Sequence, residues 1–221
     1  MNKNFASTYT GIIIGVNVVA FLAYLVFAYI FGESVLIPFV ALQPALVIAG
    51  KNLWTFATSM FMHAGIGHLA MNMLSLLFIG SFVERLIGRK RYLWLYLGGG
   101  LFAGILFVVL AGLFGDSVLG ERIFGSPYTF AVGASGAIFA LGGLLAVLVP
   151  KLRVLVFFII PMPMWAAMTF FIIVIWFFSF AAGLPIGNSA HLGGLIVGVA
   201  YGFYLNKKYP KRVEMLRNRF K

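Results

Sequence analysis

Apolar runs long enough to bridge a bilayer dominate this chain and restrict the folds open to it. A hydrocarbon core of about 30 Å needs about 20 helical residues to cross it. Six stretches qualify, over residues 8–31, 68–85, 92–114, 133–149, 154–180 and 190–205. None alternates with the period of two that a barrel strand requires, so helices are expected, because only they satisfy each span's backbone polar groups within the span. The composition agrees: 62% of residues are hydrophobic and 10% charged, against about 25% charged in soluble domains. The expectation is an all-α polytopic membrane protein with six transmembrane helices, a single domain over residues 1–221 with a basic tail from 206. The first run is longer than the apolar core of a secretory leader and no small-residue cleavage site follows it, so it is read as a retained span.

With six spans both termini share one side. That side collects Lys3, Arg85, Arg89, Lys90, Arg91, Lys151, Arg153, Lys207, Lys208, Lys211, Arg212, Arg217, Arg219 and Lys221, leaving only Lys51 and Arg122 of the 16 Lys and Arg opposite. The positive-inside rule then puts both termini in the cytoplasm and the chain in the plasma membrane. The net charge of +11 is accounted for by topology and attraction to anionic lipid, which leaves no case for nucleic-acid binding. No internal repeat is present, so an inverted-repeat transporter has no support.

Cysteine is absent, which removes thiol nucleophiles and thiolate metal sites. The three histidines, His63, His68 and His191, fall at or near the outer ends of spans. Counting back from the basic ends at a rise of about 1.5 Å per residue, Ser135, His191 and His68 lie about 22, 24 and 25 Å along their helices. They reach one level, several ångströms below the outer surface. The small-residue series His191, Gly194, Gly198, Gly202 and the face Ser135, Phe139, Gly142, Ala146 would let these two helices approach closely.

A serine and a histidine meeting away from bulk water suit nucleophilic acyl transfer, with imidazole as the base. The five carboxylates, Glu33, Glu84, Asp116, Glu121 and Glu214, lie away from both segments, so a dyad of Ser135 and His191 is the economical reading. Asp116 is the only aspartate, which excludes an aspartyl pair, and no HExxH pattern exists for a zinc protease. An oxyanion needs donors: His68 and Asn72, four apart in "HAGIGHLAMN" (63–72), share a helix face. The N–H groups around Ser135, at a helix start, add to them, and Gly133 and Gly136 leave room for a substrate backbone.

Together these segments resemble the rhomboid intramembrane serine proteases, from the first outer loop to the end of the sixth span. "HAGIGHLAMN" is similar to that family's HxxxxHxxxN, "GASG" (133–136) to its GxSG and "AHLGGLIVG" (190–198) to its AHxxGxxxG. The resemblance implies a six-helix rhomboid bundle in its minimal prokaryotic form. It implies Ser135 as nucleophile, His191 as base, His68 and Asn72 as oxyanion side chains, His63 near a water-filled mouth, and Glu84 as a structural partner of its surroundings. It also implies transmembrane protein substrates, cut near their outer ends, and no metal or cofactor. Two positions depart from the pattern: Trp54-Thr55 stands where many members have Trp-Arg, and Phe139 where a tyrosine is common.

Two loops frame access. "LIPFVALQPALVIAG" (36–50), apolar and broken by Pro38 and Pro44, is expected to lie partly in the outer leaflet. "AAGLPIGNSA" (181–190), just before His191, is expected to cap the site. A catalytically silent rhomboid-like client binder would be expected to lack Ser135 or His191, and a small transporter would need polar groups near the midplane of several spans.

Overall fold

The first long helix starts where a side chain can satisfy it. Thr8 accepts from the Gly11 N–H, and α1 (Tyr9–Phe31) runs from there to Gly32, whose φ of 86° ends it. The computed structural model describes residues 5–157, 159–182 and 187–220. Three short helices follow, α2 (Glu33–Val40), α3 (Pro44–Ile48) and α4 (Thr55–Thr58). Pro44 occupies the first turn of α3, where its missing N–H costs nothing. Pro38 lies inside α2 rather than breaking the apolar stretch. Next, α5 (Ile66–Ser75) and α6 (Ser81–Ile87) join through a π-helical stretch, Leu76–Gly80, into one continuous helix. Gly88, at φ 85°, turns the chain into α7 (Arg89–Phe114).

The second half runs through α8 (Val118–Phe124), α9 (Ser135–Leu148), the strands β1 (Arg153–Val156) and β2 (Ile160–Pro163), α10 (Met164–Ala182), α11 (Asn188–Lys208) and α12 (Pro210–Arg219). Among the described residues four helices are long and apolar enough to cross a membrane: Tyr9–Phe31, Ile66–Ile87, Arg89–Phe114 and Met164–Ala182. The shorter α9 begins at Ser135 itself, and α11 ends in Lys207 and Lys208.

The fifth apolar run departs from expectation. Instead of a helix from 154, residues 153–156 and 160–163 pair as an antiparallel hairpin, Arg153 opposite Pro163 and Val156 opposite Ile160, and α10 begins only at Met164. Pro161 and Pro163 explain the difference: a helix extended back through them would lose two hydrogen bonds and clash with the preceding turn. In the hairpin they are harmless. Met164 N–H donates to the Leu152 carbonyl at 2.8 Å, so the even-numbered residues of β2 face β1 and both prolines fall on the outer edge, where strands tolerate them.

At the centre stands α9, buried from Gly136 to Leu145. It packs on α11 at backbone distance: a Cβ added at Gly194 would overlap the Gly136 carbonyl, one at Gly198 the Ala140 carbonyl, and one at Gly202 the Val147 side chain. Gly143 answers from α9, facing the Leu195 carbonyl at 2.7 Å from its would-be Cβ. The close-contact face of α9 is therefore Gly136, Ala140, Gly143 and Val147, one residue round from the expected one. Gly142 turns instead to Met168 of α10.

The opposite end is braced by charge. Buried Glu84 accepts from the Tyr9 N–H (2.9 Å), the Thr10 N–H (2.8 Å), the Thr10 hydroxyl (2.7 Å) and Arg89 Nε (3.2 Å). One carboxylate thus satisfies orphan donors at the start of α1 and ties it to α6 and α7. Arg217 of α12 donates to the carbonyls of Val147 and Leu148 at the foot of α9.

Gly198→Val should cost about 1–3 kcal/mol through overpacking, read as a lower melting temperature in detergent. Gly98→Ala, where a Cβ meets nothing within 4 Å, should be neutral or slightly stabilising. Equal melting temperatures for the two variants would contradict the close α9–α11 packing.

Candidate active site

The loop ahead of α9 is held by the segment between α1 and α5. Leu42 and Ala131 exchange both backbone hydrogen bonds (3.0 and 2.8 Å), Ala45 N–H donates to the Pro127 carbonyl (2.8 Å), and Gln43 Nε2 donates to the Tyr128 carbonyl (2.7 Å). Gly133 N–H then donates to the Ser59 carbonyl at 2.8 Å. Its φ is 127°, a region L residues rarely adopt, and a Cβ there would stand 2.9 Å from the His68 ring. Gly133 is therefore needed for shape, and its N–H is already engaged.

Ser135 opens α9. The Ile138 N–H is the first to find an acceptor in the helix, the Ala134 carbonyl, so the N–H groups of Ser135, Gly136 and Ala137 ahead of it are open to an anion. The Ser135 hydroxyl lies 2.7 Å from His191 Nε2. His191 sits in the first turn of α11, which Ser189 pins to α8 through the Phe124 carbonyl at 2.8 Å. Its ring stacks on Phe139, with centroids 4.7 Å apart and planes at 28°, so the residue standing in place of the commoner tyrosine still packs on the histidine. His191 Nδ1 is buried without a hydrogen-bond partner among the described residues.

The other residues singled out by sequence surround this pair unequally. His68 Nδ1 accepts from the Ala64 N–H at 3.4 Å, which in the neutral ring leaves the proton on Nε2, on the edge of the ring that faces Gly133. Asn72 is buried, and its amide donates one hydrogen to the His68 carbonyl at 2.9 Å, keeping the second N–H. His63 is not on the cavity wall: it is 1% exposed and lies edge-on behind His68, with centroids 5.1 Å apart. Burial, and after it the neighbouring His68, pushes its pKa down to about 4, so it is neutral at neutral pH. It supports the His68 ring from behind.

A cavity of about 940 Å³ joins these groups. It reaches from His68, Ser135 and His191, between α5 and α10, to Leu152 and Phe157 at the hairpin. Among the described residues no cluster of three His, Asp or Glu could hold a metal. The expected cap over residues 181–190 includes 183–186, which lie outside the described residues. Sequence reasoning missed Ser59, because its contribution is a main-chain carbonyl, and the hairpin floor, because its residues read as part of a span. Trp54-Thr55 is self-contained: Trp54 Nε1 donates to the Phe39 carbonyl at 2.9 Å and Thr55 Oγ1 to the Asn52 carbonyl at 2.6 Å.

A helical membrane bundle with a serine and a histidine in contact at the heads of two glycine-packed helices defines the class of protein. Residues 50–208 match the Rhomboid domain, and the chain belongs to the rhomboid family, as a multi-pass membrane protein. It is 32% identical over 197 residues to the Rhomboid protease GluP of Bacillus subtilis, covering 89% of this chain and 34% of that one. Rhomboid protein 1, mitochondrial, of Saccharomyces cerevisiae is 33% identical over 159 residues, 70% of this chain and 42% of that one. RHOMBOID-like protein 6, mitochondrial, of Arabidopsis thaliana is 33% identical over 176 residues, 78% and 50% respectively. The chain thus spans a third to a half of the length of these relatives.

If the turn at Gly133 sets the position of the serine, Gly133→Ala should slow labelling of Ser135 by a fluorophosphonate at least about tenfold, a small misplacement being enough to cost that much. Labelling at the parent rate would show that this turn has no such role.

Proposed function

We propose that this protein is an intramembrane serine endopeptidase acting on transmembrane segments through a dyad of Ser135 and His191. The observation that carries the reading is the 2.7 Å contact between Ser135 Oγ and His191 Nε2 at a cavity walled by apolar helices. His191 Nε2 removes the Ser135 proton as Oγ attacks the scissile carbonyl, giving a tetrahedral oxyanion. The Ser135 N–H, His68 Nε2–H and the free Asn72 N–H are its donors. The histidine then protonates the leaving amine, the C–N bond breaks, and an acyl ester remains on Ser135. A water, deprotonated by His191 in turn, hydrolyses that ester and releases the acid product.

The protein is read as one membrane domain of six spans: the four long apolar helices together with α9 and α11. Both termini lie on the cytoplasmic side of the plasma membrane, with the dyad toward the outer face. This follows from the basic residues that gather at the Glu84 end of the bundle. Substrates are transmembrane proteins that reach the cavity between α5 and α10. No metal or cofactor takes part in this scheme. A client-binding role without cleavage has no specific observation in its favour, since both members of the pair are in place.

Cleavage of a transmembrane reporter by purified protein should fall at least about 10³-fold in Ser135→Ala and in His191→Ala. Asn72→Ala and His68→Ala should each cost about 10²-fold or more, the usual effect of losing an oxyanion donor. Cleavage that survives Ser135→Ala would overturn the assignment of the nucleophile, and parent-like folding of a protein that neither cuts nor takes up a fluorophosphonate would favour client binding.

A further inference from the structure

The hairpin formed by β1 and β2 leaves large apolar side chains facing outward. Leu155, Phe157, Ile159 and Ile160 are exposed, Ile159 at 79%, and Trp165 adds to them at the start of α10. A hairpin tip in water would not present such a surface. Its place in the chain settles what lies around it: it connects α9 directly to α10, so it cannot leave the end of the bundle where those helices turn. Exposed Lys151 and Arg153 flank its base, and no Asp or Glu occurs between Glu121 and Glu214. The backbone fits a membrane boundary as well. The outer edge of β2 would offer N–H groups at 161 and 163, and both positions are proline, so that edge has no donor to strand in lipid.

We infer that the hairpin is an interfacial anchor, with its apolar side chains among the acyl chains of the leaflet on the basic side and Lys151 and Arg153 at anionic headgroups. Its consequence reaches the cavity. β2 passes into α10 without a linker, and the Phe157 ring packs on Phe170 and Phe171 of α10, with centroids 6.3 and 6.0 Å apart. Hairpin and helix are thereby one body, and the hairpin also floors the cavity that opens to Ser135. The lipid that holds the hairpin therefore holds the wall of the site at a set depth. The anchor itself does not depend on the proposed activity.

The chain has no cysteine, so Ile159→Cys, and separately Ile160→Cys, can each carry a single environment-sensitive fluorophore on the full protein in phospholipid vesicles. Quenching by doxyl-labelled acyl chains should exceed quenching by aqueous iodide at least about twofold at both positions, as for a side chain below the headgroups. A label at Lys151→Cys should respond most to shallow quenchers. In vesicles containing phosphatidylglycerol, Lys151→Ala with Arg153→Ala should lower the doxyl quenching at Ile159→Cys. Iodide-accessible labels untouched by doxyl lipid would overturn the anchor. So would labels shielded from both quenchers that become exposed when the protein is diluted in lipid, since a second copy would then be covering the face.

Discussion

The close contact between α9 and α11 is the constraint on which the site depends. Lipid gives helices no hydrophobic reason to associate with one another, so they hold together through packing and backbone approach. Here Gly194 and Gly198 lie against the Gly136 and Ala140 carbonyls, leaving no room for a methyl group. Ser135 heads one helix and His191 stands one turn before Gly194 on the other. The 2.7 Å hydroxyl–imidazole distance is thus set by the same backbone contact that joins the helices. A side chain at either glycine would separate the hydroxyl and the imidazole along with the helices.

The two ends of the bundle are secured by different physics. Around Ser135, main-chain hydrogen bonds with Leu42, Ala45 and the Ser59 carbonyl hold the preceding loop, giving rigidity without introducing charge. At the other end Glu84 gathers the start of α1 and Arg89. A buried carboxylate is costly unless its oxygens are satisfied, and removing a partner from such a group costs about 3–5 kcal/mol. Glu84 has hydrogen bonds on both oxygens. The polar brace sits away from the serine, and no carboxylate hydrogen-bonds to Ser135 or His191 among the described residues.

Hydrophobicity and helical spacing made most of this legible beforehand. Five of the apolar runs are helices within a few residues of their expected bounds, because length and composition decide a span. The fifth run was misread at its start for a physical reason: 154–163 is as apolar as a helix in lipid, and only the alternating prolines at 161 and 163 speak for a strand. The common level of the pair was legible too, since Ser135 and His191, counted back from basic ends, reach one level, and the two side chains lie 2.7 Å apart. Azimuth was not. Whether Gly136 or Ser135 leads the contact face turns on about 100° of rotation, and Gly142 fits either face on paper. His63 was placed by motif alone, and no sequence pattern shows that its ring lies behind that of His68.

The missing third group has a chemical cost that the neighbours of His191 partly offset. As the proposed base, the His191 imidazole would become positive, and in a triad a carboxylate stabilises that charge; weakening such a partner lowers turnover by roughly 10⁴-fold, or about 5 kcal/mol. His191 Nδ1 has no partner among the described residues, but its ring lies 4.7 Å from the face of Phe139. The negative face of an aromatic ring can stabilise a desolvated cation by about 2 kcal/mol. In the proposed protease that would recover less than half of what a carboxylate supplies, so more of the catalysis would fall to the proposed oxyanion donors at Ser135, His68 and Asn72. In the proposed protease, loss of an oxyanion donor should therefore be felt more than loss of the Phe139 ring, the reverse of the order expected if the stacked aromatic were the substitute for an acid.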